Sequence, residues 1–128
     1  MLVDRLLPKG GCNYGNTYVL HQMLRPHIEP TGVTMLALGG ENIDDPRIFY
    51  SLEYLSQSLS AETTPISLSY GLLGLIPYNL APQSAAEWLE AAYRRTIRRE
   101  ASPLNLALLS LAAQGKECPL VKAAKAQI

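Results

Sequence analysis

Three strongly apolar runs recur along this chain, and a proline stands at the head of each: Pro30, Pro65 and Pro103. Between them lie more amphipathic stretches, over about 46–59 and 85–98. The apolar runs are centred roughly 34 to 39 residues apart, the spacing of a repeating two-helix unit rather than of a mixed α/β domain. A proline is tolerated in the first helical turn, where its missing N–H has no intrahelical partner to lose. The run after Pro30 closes at Gly39-Gly40, glycines that suit a helix C-terminus. Asp45 caps the next helix, with Pro46 at its first position, and Ile48, Leu52, Leu55 and Leu59 form its apolar stripe. The run after Pro65 is apolar nearly all round, so it belongs inside, covered by its neighbours. Ala85, Trp88, Leu89, Ala92, Tyr93 and Ile97 mark the apolar face of the next helix, and Glu90 and Arg94 make an i, i+4 pair on it.

The expected fold is therefore all-α and forms one domain over 1–128: three helical hairpins with inner helices at about 31–39, 65–76 and 103–114. The outer helices fall at about 46–59, 85–98 and 119–127. Short connections favour antiparallel neighbours. Two shorter helices are also expected, one over 2–7 stopped by Pro8, the other over 17–24 ended by Pro26. Between these two lies Gly10-Gly11-Cys12-Asn13-Tyr14-Gly15-Asn16, whose glycines and asparagines suit tight turns.

Composition limits the partners. Apolar residues make up 48% of the 128, ample for a core, while the charged share of 17% is low; typical domains carry about a quarter. The shortfall suggests that some apolar surface meets a partner subunit, a further part of the same fold, or a ligand. Eleven basic and eleven acidic residues cancel, leaving no global field to attract nucleic acid or an acidic membrane. Arg94, Arg95, Arg98 and Arg99 fall at the end of a helix, where cations offset the negative pole of its dipole. No apolar stretch reaches the ~18 residues a membrane span needs. The start carries Asp4 and too short an apolar run for a signal peptide. Cys12 and Cys118 form no metal or redox spacing, and a cytoplasmic location is expected.

The turn at residues 10–16, followed by Pro30-Thr31-Gly32-Val33-Thr34-Met35-Leu36-Ala37-Leu38, resembles the prenyltransferase and squalene-cyclase repeat family. Its repeats carry a Gly-Gly-Trp-x-Tyr-Gly-like turn, then a helix similar to Thr-x-x-Ala-Leu-Leu-Ala-Leu; Cys12 stands where the aromatic residue usually does. Residues 67–75 and 104–111 resemble two further inner helices, so the likeness spans about 8–115. It implies an α/α toroid, in which inner helices line an apolar cavity. A full ring needs five to seven hairpins by that resemblance. Three would form an arc, the C-terminal part of something larger, completed by another copy or by the remainder of the ring.

The family's catalytic equipment does not carry over. Asn42-Ile43-Asp44-Asp45-Pro46 is not the cyclase acid motif, and no Asp-x-Cys precedes a suitably placed histidine, His21 and His27 being the only two. No catalytic residue, metal ligand or cofactor is expected. Asp44 and Asp45 read more simply as a helix cap than as paired acids. Cys12, His21 and His27, with Glu41 or Cys118, match no zinc spacing, and Cys12 with His21 lacks an orienting carboxylate for nucleophilic chemistry. The residues that the resemblance would place on an isoprenoid chain are Tyr14, Tyr18, Tyr70 and Tyr78, whose π faces favour developing cations. Tyrosines in repeat helices also simply pack and bond a carbonyl.

The expected function is thus a non-catalytic or incomplete repeat domain that acts by association, as a homo-oligomer, or by binding an apolar ligand. The alternatives are part of an isoprenoid transferase or terpene cyclase, and a helical-repeat adaptor. The repeat signatures of the known adaptor types are absent.

Overall fold

The computed structural model describes residues 2–14, 18–19, 22–23, 25–39, 41, 44–99 and 102–125, with the side chains of 2, 18, 19, 22 and 23 left aside. It is all-helical in its architecture. The helices are α1 (Ile28–Leu38), α2 (Pro46–Ser58), α3 (Pro65–Leu75), α4 (Ala85–Arg99), α5 (Pro103–Ala113) and α6 (Pro119–Lys125). Short 3₁₀ turns occupy Leu2–Arg5, Ile76–Tyr78 and Gly115–Glu117.

Prolines and caps set the helix starts much as the sequence implies. Pro46, Pro65, Pro103 and Pro119 each open their helix. Asp45 accepts from the Arg47 amide at 2.9 Å, and the Ser102 hydroxyl accepts from the Asn105 amide at 3.3 Å. Helix α1 starts two residues before Pro30, at Ile28. Pro30 still lies in the first turn, where no intrahelical donor is required of it.

Two expectations are corrected. The helix over 17–24 is not formed at its described positions: Tyr18–Val19 (β1) pairs antiparallel with Gln22–Met23 (β2), Tyr18 opposite Met23 and Val19 opposite Gln22. An eight-residue segment is too short to nucleate a helix without strong tertiary support, and Tyr and Val favour extended backbone. The helix expected over 2–7 is reduced to the turn Leu2–Arg5, after which Leu6 and Leu7 are buried.

Helix α3 is the centre of the molecule, buried almost continuously from Leu68 to Pro77. It packs against α1 on one side and α5 on the other. Helices α1 and α3 run parallel: Ile28 meets Gly71, Gly32 meets Gly74, and Gly39 meets Pro77. Helix α2 lies against both α1 and α3, and α4 lies against both α3 and α5. Helix α6 does not continue that alternation. Its main helical partner is α1, with the turn at Ile76–Tyr78, so it closes over the C-terminal ends of α1 and α3. Cys118, Val121 and Ala124 are its buried anchors.

The glycine-rich turn is fixed by hydroxyls from two helices. Ser51 of α2 accepts from the Gly11 amide at 2.8 Å, and Thr31 of α1 accepts from the Cys12 amide at 2.7 Å. Gly10 and Gly11 hold φ of +94° and +83°, values open to glycine but strained for other residues. The backbone of Tyr50 abuts Gly10.

The Asp45 cap gives a pH-dependent prediction. Its carboxylate also takes its neighbour's guanidinium, with Arg47 Nη2 at 2.8 Å and Nε at 3.1 Å. The side-chain bond from Arg47 is the main cause holding the Asp45 carboxyl below the usual aspartate range. A lowered folded-state value means the contribution is complete above the ordinary value and fades as pH falls through the lowered one. Asp45→Asn keeps an acceptor oxygen for the cap but has no charge to lose. Its melting temperature is therefore expected to fall less than the wild type's between neutral pH and about pH 3. Thermal unfolding followed by circular dichroism checks this; parallel curves for the two proteins would rule it out.

Candidate functional site

The apolar face of α4 is wider than the surface its neighbours cover. Leu89 and Ala92 are buried and Ala85 and Trp88 are half-buried, but Tyr93 is 48% and Ile97 49% exposed. On α5, Leu108, Leu109 and Ala112 are buried while Leu104 is 59% exposed. Where α4 and α5 diverge, they leave a groove of about 520 Å³ floored by the end of α3. Leu72, Ile76, Leu89, Leu109 and Ala112 make the floor; Ala86, Glu90, Tyr93, Ser110 and Ala113 stand round the mouth. The arrangement offers apolar contact over most of its surface and a few polar groups at the rim. That is the chemistry of a site that accepts hydrocarbon or an apolar side chain.

At the other end of α4 lies a second, polar depression, lined by Glu62, Thr64, Arg95, Arg99, Ser102 and Asn105. Both signs of charge meet there, and Arg95 reaches the Thr63 carbonyl at 3.5 Å.

The four candidate tyrosines do not gather at the groove. Tyr14 lies in the segment before β1, 70% exposed; its hydroxyl donates to Glu29 Oε2 at 3.0 Å and its ring lies 5.2 Å from that of His27. Tyr70 is half-buried in α3, with its backbone against Gly32. Tyr78 donates to the Met35 carbonyl at 3.0 Å, and burial, with Glu41 nearby, pushes its hydroxyl up to about 12. Tyr18 takes part in β1 by its backbone, and its side chain lies outside what is described. The aromatic residue at the groove is Tyr93. Its helical phase is legible in the sequence, which assigns it to the covered face of α4.

The nucleophile and metal readings find no support among the described residues. Cys12 is buried, its thiol 3.4 Å from Thr34 Oγ1 and 3.5 Å from the Arg5 carbonyl. Burial pushes that thiol up, and the Thr34 hydroxyl only partly opposes the shift, so it is a poor nucleophile. Cys12 and His27 meet through their backbones, the His27 amide donating to the Cys12 carbonyl at 2.7 Å. His21 lies outside the described residues. No three His, Cys, Asp or Glu side chains converge on a metal-sized space among the described residues. Asp44 is exposed, and Asp45 is the α2 cap described above. No described helix is long and apolar enough to cross a membrane.

The chain matches no family model, no curated protein and no solved structure.

Proposed function

We propose that this chain is an association module: a helical-repeat domain that works by receiving an apolar occupant in the groove between α4 and α5. The observation that carries the reading is the groove itself. Its floor is aliphatic, its rim holds Tyr93, and no described helix covers it. Each earlier groove in the array is filled: α2 lies against α1 and α3, and α4 against α3 and α5. The next outer helix would fall against α4 and α5, but α6 turns away to α1.

The finer architecture belongs to this proposal too. Parallel α1 and α3, joined through an antiparallel α2, support a stack of helical hairpins like the prenyltransferase and squalene-cyclase repeat. On that reading the chain is an arc with one uncovered flank. Burial of apolar area then drives association, at about 25 cal/mol per Å² removed from water.

A label at the rim tests the reading. Cys12 and Cys118 are both buried, so Ser110→Cys provides the one accessible thiol among described positions for an environment-sensitive fluorophore. The emission is expected to shift saturably to the blue as either protein concentration or a dodecyl glycoside below its micelle threshold is raised. Emission that stays water-like under both additions would defeat the proposal.

A further inference from the structure

We infer that the occupant of the groove is a second copy of this chain, docked by antiparallel pairing of α4 with α4 about a two-fold axis. The inference rests on the groove reading above and names its partner.

Three observations carry it. The first is shape. Ala86, Glu90, Tyr93 and Ile97 follow one another at helical spacing along an exposed stripe of α4. The groove opens beside Ala86, Glu90 and Tyr93, and the exposed stripe runs on past it to Ile97. Antiparallel pairing lays the second half of each α4 over the first half of the other. Ile97 and Tyr93 of each copy then come down over the groove of its mate. A parallel pairing would set Ile97 against Ile97, away from both grooves.

The second observation is charge. The first half of α4 carries Glu87 and Glu90; the second carries Arg94, Arg95, Arg98 and Arg99. A helix divided in this way complements a reversed copy of itself and repels one in the same direction. Glu90 and Arg94 pair within the chain at 2.5 Å, both largely exposed, so either can exchange to a partner across the axis at little cost.

The third is that, among the described residues, the opposite end of the array is covered. Residues 3–13 fold over the outer side of α1 and α2, with Leu6 and Leu7 buried and Gly11 and Cys12 bonded to Ser51 and Thr31. A molecule with one open flank closes into a two-fold pair, whereas two open flanks give rings or filaments.

Sedimentation velocity on the full chain over a wide concentration range is expected to show monomer and dimer and nothing larger. Ile97→Glu, at an exposed position where circular dichroism should report an unchanged fold, is expected to raise the dimer dissociation constant at least about tenfold. Glu90→Arg sets like charges facing each other across the axis and weakens the dimer. Combining it with Arg94→Glu restores the pairing. A chain that stays monomeric at every concentration overturns the pairing; the groove reading then stands or falls separately on the Ser110→Cys response to the alkyl probe. A dimer that keeps its strength in Ile97→Glu, or is lost instead on changing the exposed edge-on pair Phe49 and Tyr50 of α2, also overturns it. So does a double exchange that fails to restore association.

Discussion

Gly32→Ala should destabilise the protein by about 3 kcal/mol, the upper end of the cost of overpacking a tight contact. Alanine is otherwise the better helix former by about 1 kcal/mol, so the sign of the result is informative. At this crossing a Cβ on Gly32 would run into the backbone of α3, at the Tyr70 carbonyl and the Gly71 amide. A Cβ on Gly74 would in turn stand 2.7 Å from the Gly32 carbonyl oxygen. A flexible side chain can move aside, but these atoms belong to the backbone of a buried helix. The two helices would have to separate, opening gaps along a contact that runs from Ile28 to Gly39. Gly115→Ala is the control. That glycine has φ +57° but nothing within 4 Å of an added Cβ, so only the left-handed backbone is penalised, by about 1 kcal/mol. Urea unfolding of the three proteins measures both. A Gly32→Ala midpoint at or above the wild type's would mean that α1 and α3 do not meet backbone to backbone.

Thr31→Val is expected to cost about 2 kcal/mol, although it preserves shape and leaves the apolar core untouched. The Thr31 hydroxyl is fully buried and connects two segments. It accepts from the Cys12 amide at 2.7 Å and lies 2.6 Å from the His27 carbonyl to which it donates, with the Cys12 carbonyl at 3.2 Å. Valine would leave the Cys12 amide without its acceptor in a site that excludes water. An unsatisfied buried donor costs more than a made bond contributes. Thr96→Val in α4 offers the contrast. There the hydroxyl donates only to the Ala92 carbonyl of its own helix, and its loss leaves no donor stranded, so less than about 1 kcal/mol is expected. Equal costs at the two positions, read from urea midpoints, would show that Thr31 does not anchor the turn. Thr31→Ser keeps the hydroxyl and should recover most of the difference.

The Thr31 and Ser51 hydroxyls show why part of the molecule escaped the sequence. Both residues lie in stretches whose helical character is plain, and both look like ordinary small polar positions. Only the fold brings them to the Gly10-Gly11-Cys12 turn, 19 positions away in sequence for Thr31 and 40 for Ser51. The hairpin of β1 and β2 is hidden for the opposite reason. Local apolar spacing suggested a helix, yet a segment that short takes the backbone its surroundings and local preferences allow. At the groove, the phase of Tyr93 and Ile97 along α4 was legible, whereas their exposure was not. Periodicity says which residues share a face; it is silent on whether a neighbour covers that face.

The order of the six α-helices, the proline-led starts of α2, α3, α5 and α6, and the buried character of α3 were determined by the sequence itself, because these are local matters. A proline without an amide, an aspartate or serine ready to cap, and a run of leucines act within one or two turns of chain. Tertiary structure alone decided that α1 and α3 touch through glycine, that α6 folds back onto α1, and that a groove therefore stays open between α4 and α5. Those outcomes depend on which surfaces distant segments present to one another, and so on packing that no local spacing encodes.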